Sequence, residues 1–232
     1  MADLQAIVAR VKDALASGTA PTNHSAAASA SPAAAIVSTG NRAELVSSFG
    51  RELQAVGGRM IGPVAPAEVA ARIVDIARER AAKLVAVGQG LASDMNAIAQ
   101  ALQASGVAIV RTGRVDSTTR GAMREQLAHA DAGVAEADYA IASTGTLAVL
   151  SDEGRPSALT LLPPNSIVIV RIDRMVPDLA AAMAAFGPAA LEAHRMTLIT
   201  GPSRTADIEK RIVMGVHGPK SLDVIVVWPQ DD

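Results

Sequence analysis

Hydrophobic and polar positions along the chain follow two different periods, and these periods separate predicted helices from predicted strands. Where apolar residues recur every three or four positions, the pattern predicts amphipathic helices. These segments are 3–16, 41–56, 66–80, 93–105, 117–130, 177–185 and 188–194. Short aliphatic runs predict buried strands instead. They lie at 83–87, 107–110, 139–143, 146–150, 158–162, 167–170, 197–200, 211–216 and 224–227.

The order of these elements predicts the fold class. From residue 41 to 130, helices alternate with aliphatic runs, which is typical of a parallel sheet covered by helices. The second half is richer in strands, and its turn sequences "DEGRP" (152–156) and "HGPKSL" (217–222) predict hairpins. We therefore expect an α/β fold with a mixed, largely parallel sheet flanked by helices.

The N-terminal part differs from the rest in composition. Residues 17–35 carry no charged and no large apolar side chain, so they cannot bury enough surface to offset the entropy of ordering. We predict an amphipathic helix over 1–16, a flexible Ala/Ser/Pro linker over 17–38, and one domain over 39–232. A linker of this length allows the helix to pack on its own domain or to dock on another subunit.

Charge and hydropathy narrow the possible partners. The 232 residues include 21 Lys and Arg against 23 Asp and Glu, a net charge of −2. This balance favours neither nucleic acid nor an anionic membrane as a partner. The first residues lack the continuous apolar region of a secretory signal, and no apolar stretch reaches about 18 residues. We expect a cytoplasmic protein without a membrane span.

The chain contains no cysteine, so it can form no disulfide, no thiolate metal site and no ordinary iron-sulfur cluster. The four histidines are scattered along the chain, and no two have the spacing of a helical metal site. We therefore expect no metal and no cofactor in this chain. With aromatic residues at 2% of the composition, few side chains can stack on a nucleotide or coenzyme ring.

Three polar loops follow predicted strands, which is where α/β sheets bind ligands. They are "GQG" (88–90), "STGT" (143–146) and "GPSRT" (201–205). Glycines and hydroxyls favour anion binding by backbone amides, and Arg204 offers a bidentate partner. We expect the last two loops to face each other around an anionic metabolite. The residues predicted to bind it are Gly88, Gly90, Thr144, Gly145, Thr146, Gly201, Ser203, Arg204, Thr205, Asp207, His217 and Gly218.

Each of these features also has a purely structural interpretation. The glycines at 88–90 can serve turn geometry, and "STGT" can be a tight hairpin between buried strands. Arg204 can form a local ion pair with Asp207 or Glu209. No catalytic residue is assigned. The candidates are Asp138, which can equally support another group, and His217, which can equally belong to a turn.

Several longer motifs resemble one family. The segments "ADYAIASTGTLAVLSDEGRP", "LLPPNSIVIV", "RMVPDL", "TLITGPSRTADIE" and "GVHGPKSLDVIVV" occur in the order of the lactate-utilisation (LUD) domain family. The resemblance implies a fold similar to the sugar-phosphate isomerase and coenzyme A transferase group. It also implies a role in oxidising L-lactate to pyruvate beside two iron-sulfur partner proteins, which would carry the clusters that this chain cannot.

The family motif has a glutamate before Thr-Gly-Thr, whereas this chain has Ser143. If that carboxylate is catalytic, this chain lacks it. Three function classes remain open: a cluster-free subunit of a lactate-oxidising system, a stand-alone isomerase-like or transferase-like enzyme using Asp138 or Glu136, and a non-catalytic module that binds an anion. The absence of an obvious nucleophile and base pair favours the subunit.

Overall fold

The computed structural model describes residues 42–90, 92–114, 118–152, 154–187, 193–206, 212–214 and 218–228, with the backbone alone at 204–206 and 212–214. The predicted N-terminal helix and linker lie outside these residues, so the domain boundary at residue 39 stays a prediction.

Six α-helices and twelve strands are defined in the described residues. The helices are α1 (Arg42–Ala55), α2 (Val69–Glu79), α3 (Met95–Ala104), α4 (Arg120–His129), α5 (Ala158–Leu161) and α6 (Leu179–Phe186). Short 3-10 helices span Pro66–Glu68 and Ile172–Arg174. The strands up to the middle of the chain are β1 (Arg59–Val64), β2 (Leu84–Val87), β3 (Ala108–Arg111), β4 (Ala132–Glu136), β5 (Tyr139–Ile141) and β6 (Thr146–Ser151). The later strands are β7 (Asn165–Arg171), β8 (Met175–Val176), β9 (Arg195–Ile199), β10 (Arg204–Ala206), β11 (Ile212–Met214) and β12 (Ser221–Val227).

A six-stranded parallel sheet forms the centre of the fold. Its order is β1-β12-β7-β4-β2-β3, and every neighbouring pair is parallel. The chain passes from β2 outward to β3 and then returns to place β4 on the other side of β2. The topological switch point, where ligands commonly bind in such sheets, therefore lies between the carboxyl ends of β2 and β4.

Antiparallel pairing is confined to smaller sheets. A four-stranded sheet has the order β8-β5-β6-β9, in which β5 pairs parallel with β8 and β6 pairs antiparallel with β5 and β9. A separate antiparallel pair joins β10 and β11. The predicted α/β class with a mixed, largely parallel arrangement is confirmed, with most parallel and antiparallel pairs placed in different sheets.

Alternating side chains of the central strands supply two separate cores. On β7, Ile167 and Ile169 pack with the apolar faces of α2 and α3, whereas Val168 and Val170 pack with α1 and the four-stranded sheet. This alternation is the two-residue period of a strand that is buried on both faces. Helices α4 and α5 extend the second face, where Leu127 and Leu159 cover the small residues of β2 and β4.

Some sequence-based predictions are wrong. The run at 158–162 forms helix α5 and the residue that caps it rather than a strand, because Leu162 N–H donates to the carbonyl of Ala158 in a helical turn that follows Pro156. A short apolar run does not distinguish the two structures. "DEGRP" leads from β6 into α5, and the strand after "HGPKSL" pairs with β7 and β1, so neither turn makes a hairpin. Arg204 and Thr205 of the predicted "GPSRT" loop belong to strand β10, which ends at Ala206.

The pattern also missed strands β1, β4 and β8. Strand β1 has the sequence "RMIGPV" and β4 has the sequence "AGVAE", and Gly, Pro and Ala are poor strand formers. Strand β4 is nevertheless buried throughout its length, between β2 and β7. Tertiary placement therefore determines its conformation more than local preference does.

Candidate functional site

The first predicted loop, "GQG", lies at the switch point of the parallel sheet, directly after β2. Gly88 N–H donates to the carbonyl of Val134 at 3.0 Å, and a Cβ at this position would lie 2.6 Å from Leu159 Cδ2. A Cβ on Gly90 would lie 2.6 Å from the carbonyl oxygen of Ser93. Close packing thus requires both glycines, whether or not they contact a ligand.

Glu136, the last residue of β4, holds the chain segment that follows these glycines. Its side chain is 3% exposed, and its carboxylate accepts hydrogen bonds from the backbone amides of Ala92 (3.2 and 3.1 Å) and Ser93 (3.0 Å). These amides are the kind of donor that binds an anion at a strand end. The protein therefore supplies its own carboxylate at the switch point. Ala92 and Ser93 lie over the end of β4, and Ser93 extends towards the ends of β7 and β12.

Asp138 is also engaged with protein groups. It is 9% exposed and accepts hydrogen bonds from Leu150 N–H (2.7 Å) and from Arg155 Nη1 (3.1 Å). Arg155 bonds Asp152 as well. Burial by itself lowers the pKa of Arg155, but the charges and hydrogen bonds of Asp138 and Asp152 outweigh it and raise that pKa above its ordinary value. Asp138 therefore orients Arg155 in the described structure, and its role as a catalytic base stays a prediction.

The "STGT" loop forms the tight turn between β5 and β6. Gly145 has a φ of 61°, and a Cβ there would overlap the backbone of α1, lying 2.7 Å from the Glu52 carbonyl carbon. Thr144 Oγ1 donates to Thr146 Oγ1, which lies 2.8 Å from Thr200 Oγ1. The turn is a tight hairpin that brings three threonine hydroxyls together in a row, with Thr144 and Thr200 exposed and Thr146 buried. Its role in ligand binding stays a prediction.

The "GPSRT" loop begins beside this row, because Gly201 directly follows Thr200. Gly201 has a φ of 80°, and a Cβ there would lie 2.7 Å from the carbonyl oxygen of Val56, just beyond the end of α1. Ser203 N–H donates to Pro219 O at 2.8 Å, and a Cβ on Gly218 would contact the Ser203 side chain at 3.0 Å.

The last predicted ligand residues follow in this segment. Arg204 and Thr205 are strand residues whose side chains are not described, and Asp207 and His217 lie outside the described residues. Their predicted ligand contacts stay predictions.

The three predicted loops thus occupy two separate regions. "STGT" and "GPSRT" lie against the end of α1, which leads into the start of β1, and beside residues that precede β12. This is the amino edge of the parallel sheet, whereas "GQG" lies at its carboxyl edge. A single site built from all three loops is therefore not formed. The second and third loops lie near each other, and a shared anion site between them stays a prediction.

Sequence reasoning missed a cavity at the carboxyl edge. It has a volume of about 330 Å³ and lies over the ends of β1, β7 and β12. Arg171 and Trp228 line it, together with Ser93 and Asp94 from the start of α3. Arg171 ends β7 and Trp228 directly follows β12, so the strand-end rule used for the glycine loops could have identified them.

Neither a metal site nor a membrane span occurs in the described part of the chain. Within it, no three His, Asp or Glu side chains are grouped as metal ligands. The same residues include no helix with the length and apolar character needed to cross a bilayer.

Comparison with known proteins gives a family and a fold. A sequence model of the LUD domain matches residues 46–227. Lactate utilization protein C of Halalkalibacterium halodurans is 35% identical over 116 residues, which cover 48% of this chain and 50% of that protein. The protein of the same name from Deinococcus radiodurans is 39% identical over 104 residues, which cover 44% and 49%. The chain therefore spans about half the length of the curated relatives that it matches.

A solved structure gives the same fold over a larger part of the chain. The crystal structure of a DUF162 family protein from Deinococcus radiodurans superposes with a TM-score of 0.58 and 24% sequence identity. The alignment covers 80% of this chain and 98% of that protein.

Proposed function

Because the chain belongs to the LUD domain family, we propose that it acts in lactate utilisation as a cluster-free subunit of a bacterial L-lactate-oxidising system. The observation that carries this proposal is its similarity to proteins named Lactate utilization protein C. The reaction would convert L-lactate to pyruvate, and two iron-sulfur lactate-utilisation proteins would be its partners.

The composition supports a division of labour in such a system. L-lactate oxidation releases two electrons and two protons, and the electrons require an acceptor. The chain has no cysteine and so offers no thiolate ligand for a cluster. In this proposal, the partners carry the electrons, while this subunit binds and positions an anionic metabolite.

We place the anion at the hydroxyl row formed by Thr144, Thr146 and Thr200. Thr144 and Thr200 are exposed, so their hydroxyls can contact a solute as well as their neighbour. Threonine hydroxyls and an arginine together suit a small carboxylate. The hydroxyls donate neutral hydrogen bonds, and the guanidinium donates charge-assisted ones. Arg204, four residues after Thr200, begins β10.

A second arginine supports the same location. Arg51 Nη2 donates to Ser48 Oγ at 3.3 Å, and Ser48 Oγ donates to the carbonyl oxygen of Ala142 at 3.3 Å. Through these two hydrogen bonds, the Arg51 guanidinium lies next to the start of the "STGT" turn. Arg51 also pairs with Glu52 at 3.3 Å, so part of its charge is compensated.

Lactate-dependent growth tests the proposal. The chain is returned to a bacterial host that lacks its own copy, as wild type and as the Arg204→Ala variant. We expect wild type to restore growth on L-lactate and Arg204→Ala to lose it, with an unchanged melting temperature. Loss of one charge-assisted contact corresponds to about ten-fold to a hundred-fold weaker binding. Arg195→Ala, on the exposed start of β9, is the matched control.

The outcomes separate the alternatives. Failure of wild type to restore growth contradicts the lactate role. Normal growth with Arg204→Ala eliminates the anion site at the hydroxyl row but leaves the subunit role. Turnover of L-lactate with a dye by the purified chain alone contradicts the subunit role and favours a stand-alone enzyme.

A further inference from the structure

The cavity at the carboxyl edge of the parallel sheet has walls of two kinds. Its apolar walls come mainly from small residues on α2, on α3 and on the short 3-10 helix before α2. These are Pro66, Ala67, Val69, Ala70, Ala97 and Ile98. Because small side chains line the space, the volume of about 330 Å³ is left unfilled, which is within the range of small-molecule sites.

Trp228 forms another part of the apolar wall. It is the only tryptophan of the chain and is 52% exposed. Its backbone N–H donates to the carbonyl oxygen of Val64 at 3.0 Å, which fixes the start of the side chain against β1. A large, exposed aromatic ring at the rim of a preformed cavity provides a stacking surface for a flat ligand.

The polar part of the cavity carries oriented charges. Arg171 donates from Nε and Nη2 to the two oxygens of Asp173, at 2.9 and 2.7 Å, so the plane of its guanidinium is fixed. Asp94 accepts hydrogen bonds from the backbone amides of Asn96 and Ala97 through Oδ1. The cavity therefore presents a guanidinium, whose charge Asp173 partly compensates, and a carboxylate beside an aromatic surface.

From this arrangement we propose that the cavity binds a planar heteroaromatic ring that carries an anionic group, the chemistry of a nucleoside monophosphate. The ring stacks on Trp228 between the alanine-rich walls, and the anionic group lies towards Arg171. The Asp94 carboxylate accepts from a ring amino group. A three-carbon acid would reach only the polar part and would leave the apolar walls empty. The site is separate from the hydroxyl row and does not depend on its role.

Fluorescence of the single tryptophan tests this directly, because any signal from tryptophan comes from the cavity wall. The full chain is titrated with adenosine monophosphate, adenosine and ribose 5-phosphate, which contain the ring and the anion, the ring alone, and the anion alone. We expect saturable quenching by adenosine monophosphate, weaker binding of adenosine, and the weakest binding of ribose 5-phosphate. No saturable change with adenosine monophosphate would overturn the proposal, as would quenching by L-lactate at lower concentration.

Variants assign the two parts of the ligand, with binding measured by calorimetry so that tryptophan can be replaced. Trp228→Ala should weaken adenosine monophosphate and adenosine alike, by about ten-fold or more. Arg171→Gln should weaken adenosine monophosphate at least ten-fold but leave adenosine unchanged. Ala97→Leu fills the cavity with a good helix former and should abolish binding of both.

Arg195→Gln, outside the cavity, is the control for charge. Cooperative unfolding of each variant shows that its fold is retained. Unaltered binding in Ala97→Leu, or an equal loss of adenosine and adenosine monophosphate in Arg171→Gln, would contradict the proposed arrangement. Either result leaves the lactate-growth experiment unaffected, because that experiment concerns the other edge of the sheet.

Discussion

The carboxylate of Glu136 accepts a hydrogen bond from the backbone amide of Ser93 at 3.0 Å, and this contact ties the end of β4 to the start of α3. It occurs at the switch point of the parallel sheet, where an external anion often binds. Here the anion is part of the chain. The backbone amides of Ala92 and Ser93 thus have a hydrogen-bond acceptor within the protein. This contact holds the loop over β4, where Ser93 lines the neighbouring cavity.

Glu136→Gln should destabilise the protein by about 1.5–3 kcal/mol, the usual contribution of hydrogen bonds to a charged group. The amide retains one oxygen, but its NH₂ group then faces backbone donors. Urea unfolding measures the change. Glu125→Gln, at an exposed position of α4, is the matched control and should change stability by less than about 0.5 kcal/mol. Equal effects of the two substitutions would show that the loop does not depend on the carboxylate.

Asp223→Asn should cost about 3 kcal/mol. Asp223 is fully buried in β12 and accepts hydrogen bonds from Arg59 and from Arg80, the latter at 3.0 Å. Removing the carboxylate of a buried ion pair leaves its partners desolvated, and here Arg80 loses this charged contact, whereas Arg59 keeps its bond to Glu79 at 2.7 Å. The partial exposure of both arginines limits the loss further. Asp75→Asn removes an exposed pair with Arg72 and should cost less than about 1 kcal/mol. Similar free energies of unfolding for the two variants would contradict the buried network.

Gly145→Ala should destabilise the domain far more than Gly106→Ala. Both glycines have positive φ angles, of 61° and 85°, so both substitutions carry a backbone cost of about 1 kcal/mol. Only at position 145 does the new Cβ overlap the α1 backbone, whereas at 106 the space is open. The difference between the melting temperatures of the two variants measures the part of the destabilisation that is due to the steric overlap. If the two variants melt together, the close contact between the "STGT" turn and α1 is not rigid.

Lowering the pH should reduce the free energy of unfolding, partly because Asp152 becomes protonated. Burial by itself raises the pKa of Asp152, but hydrogen bonds from the Arg155 side chain and from the backbone amides of Gly154 and Arg155 outweigh it and lower the pKa below 3.8. A lowered pKa stabilises the folded state above the unfolded value, and this contribution is lost as pH falls through the folded pKa. Asp152→Asn should therefore be less stable than wild type at neutral pH.

The same linkage fixes how that difference should change with pH. The two free energies of unfolding should converge as pH falls below 3.8 and through the lowered pKa of Asp152. Urea unfolding over this range measures the convergence. A constant difference at all pH values would show that the carboxylate charge of Asp152 does not contribute.

The sequence by itself determined the α/β class and the chemistry that this chain can supply. Helical and strand periods are local properties, so α1, α2 and the aliphatic strands β2, β7 and β12 were predictable from neighbouring residues. The absence of cysteine is a fact of composition and needs no fold. The family motifs likewise identified the LUD domain, which the match over 46–227 confirms.

Only the tertiary structure decided which polar groups lie together. The parallel order β1-β12-β7-β4 joins strands that are distant in sequence, so Arg171 and Trp228 meet at one cavity although no local pattern connects them. The same long-range packing separates the "GQG" loop from "STGT" and "GPSRT". It also gives Gly145 a close contact with α1 and Gly201 a close contact with Val56, just after α1. Strand periodicity fixes which face a residue occupies, whereas the neighbours of that face follow from strand order. The order of the strands is in turn set by the arrangement that buries the apolar side chains on both faces of the whole sheet.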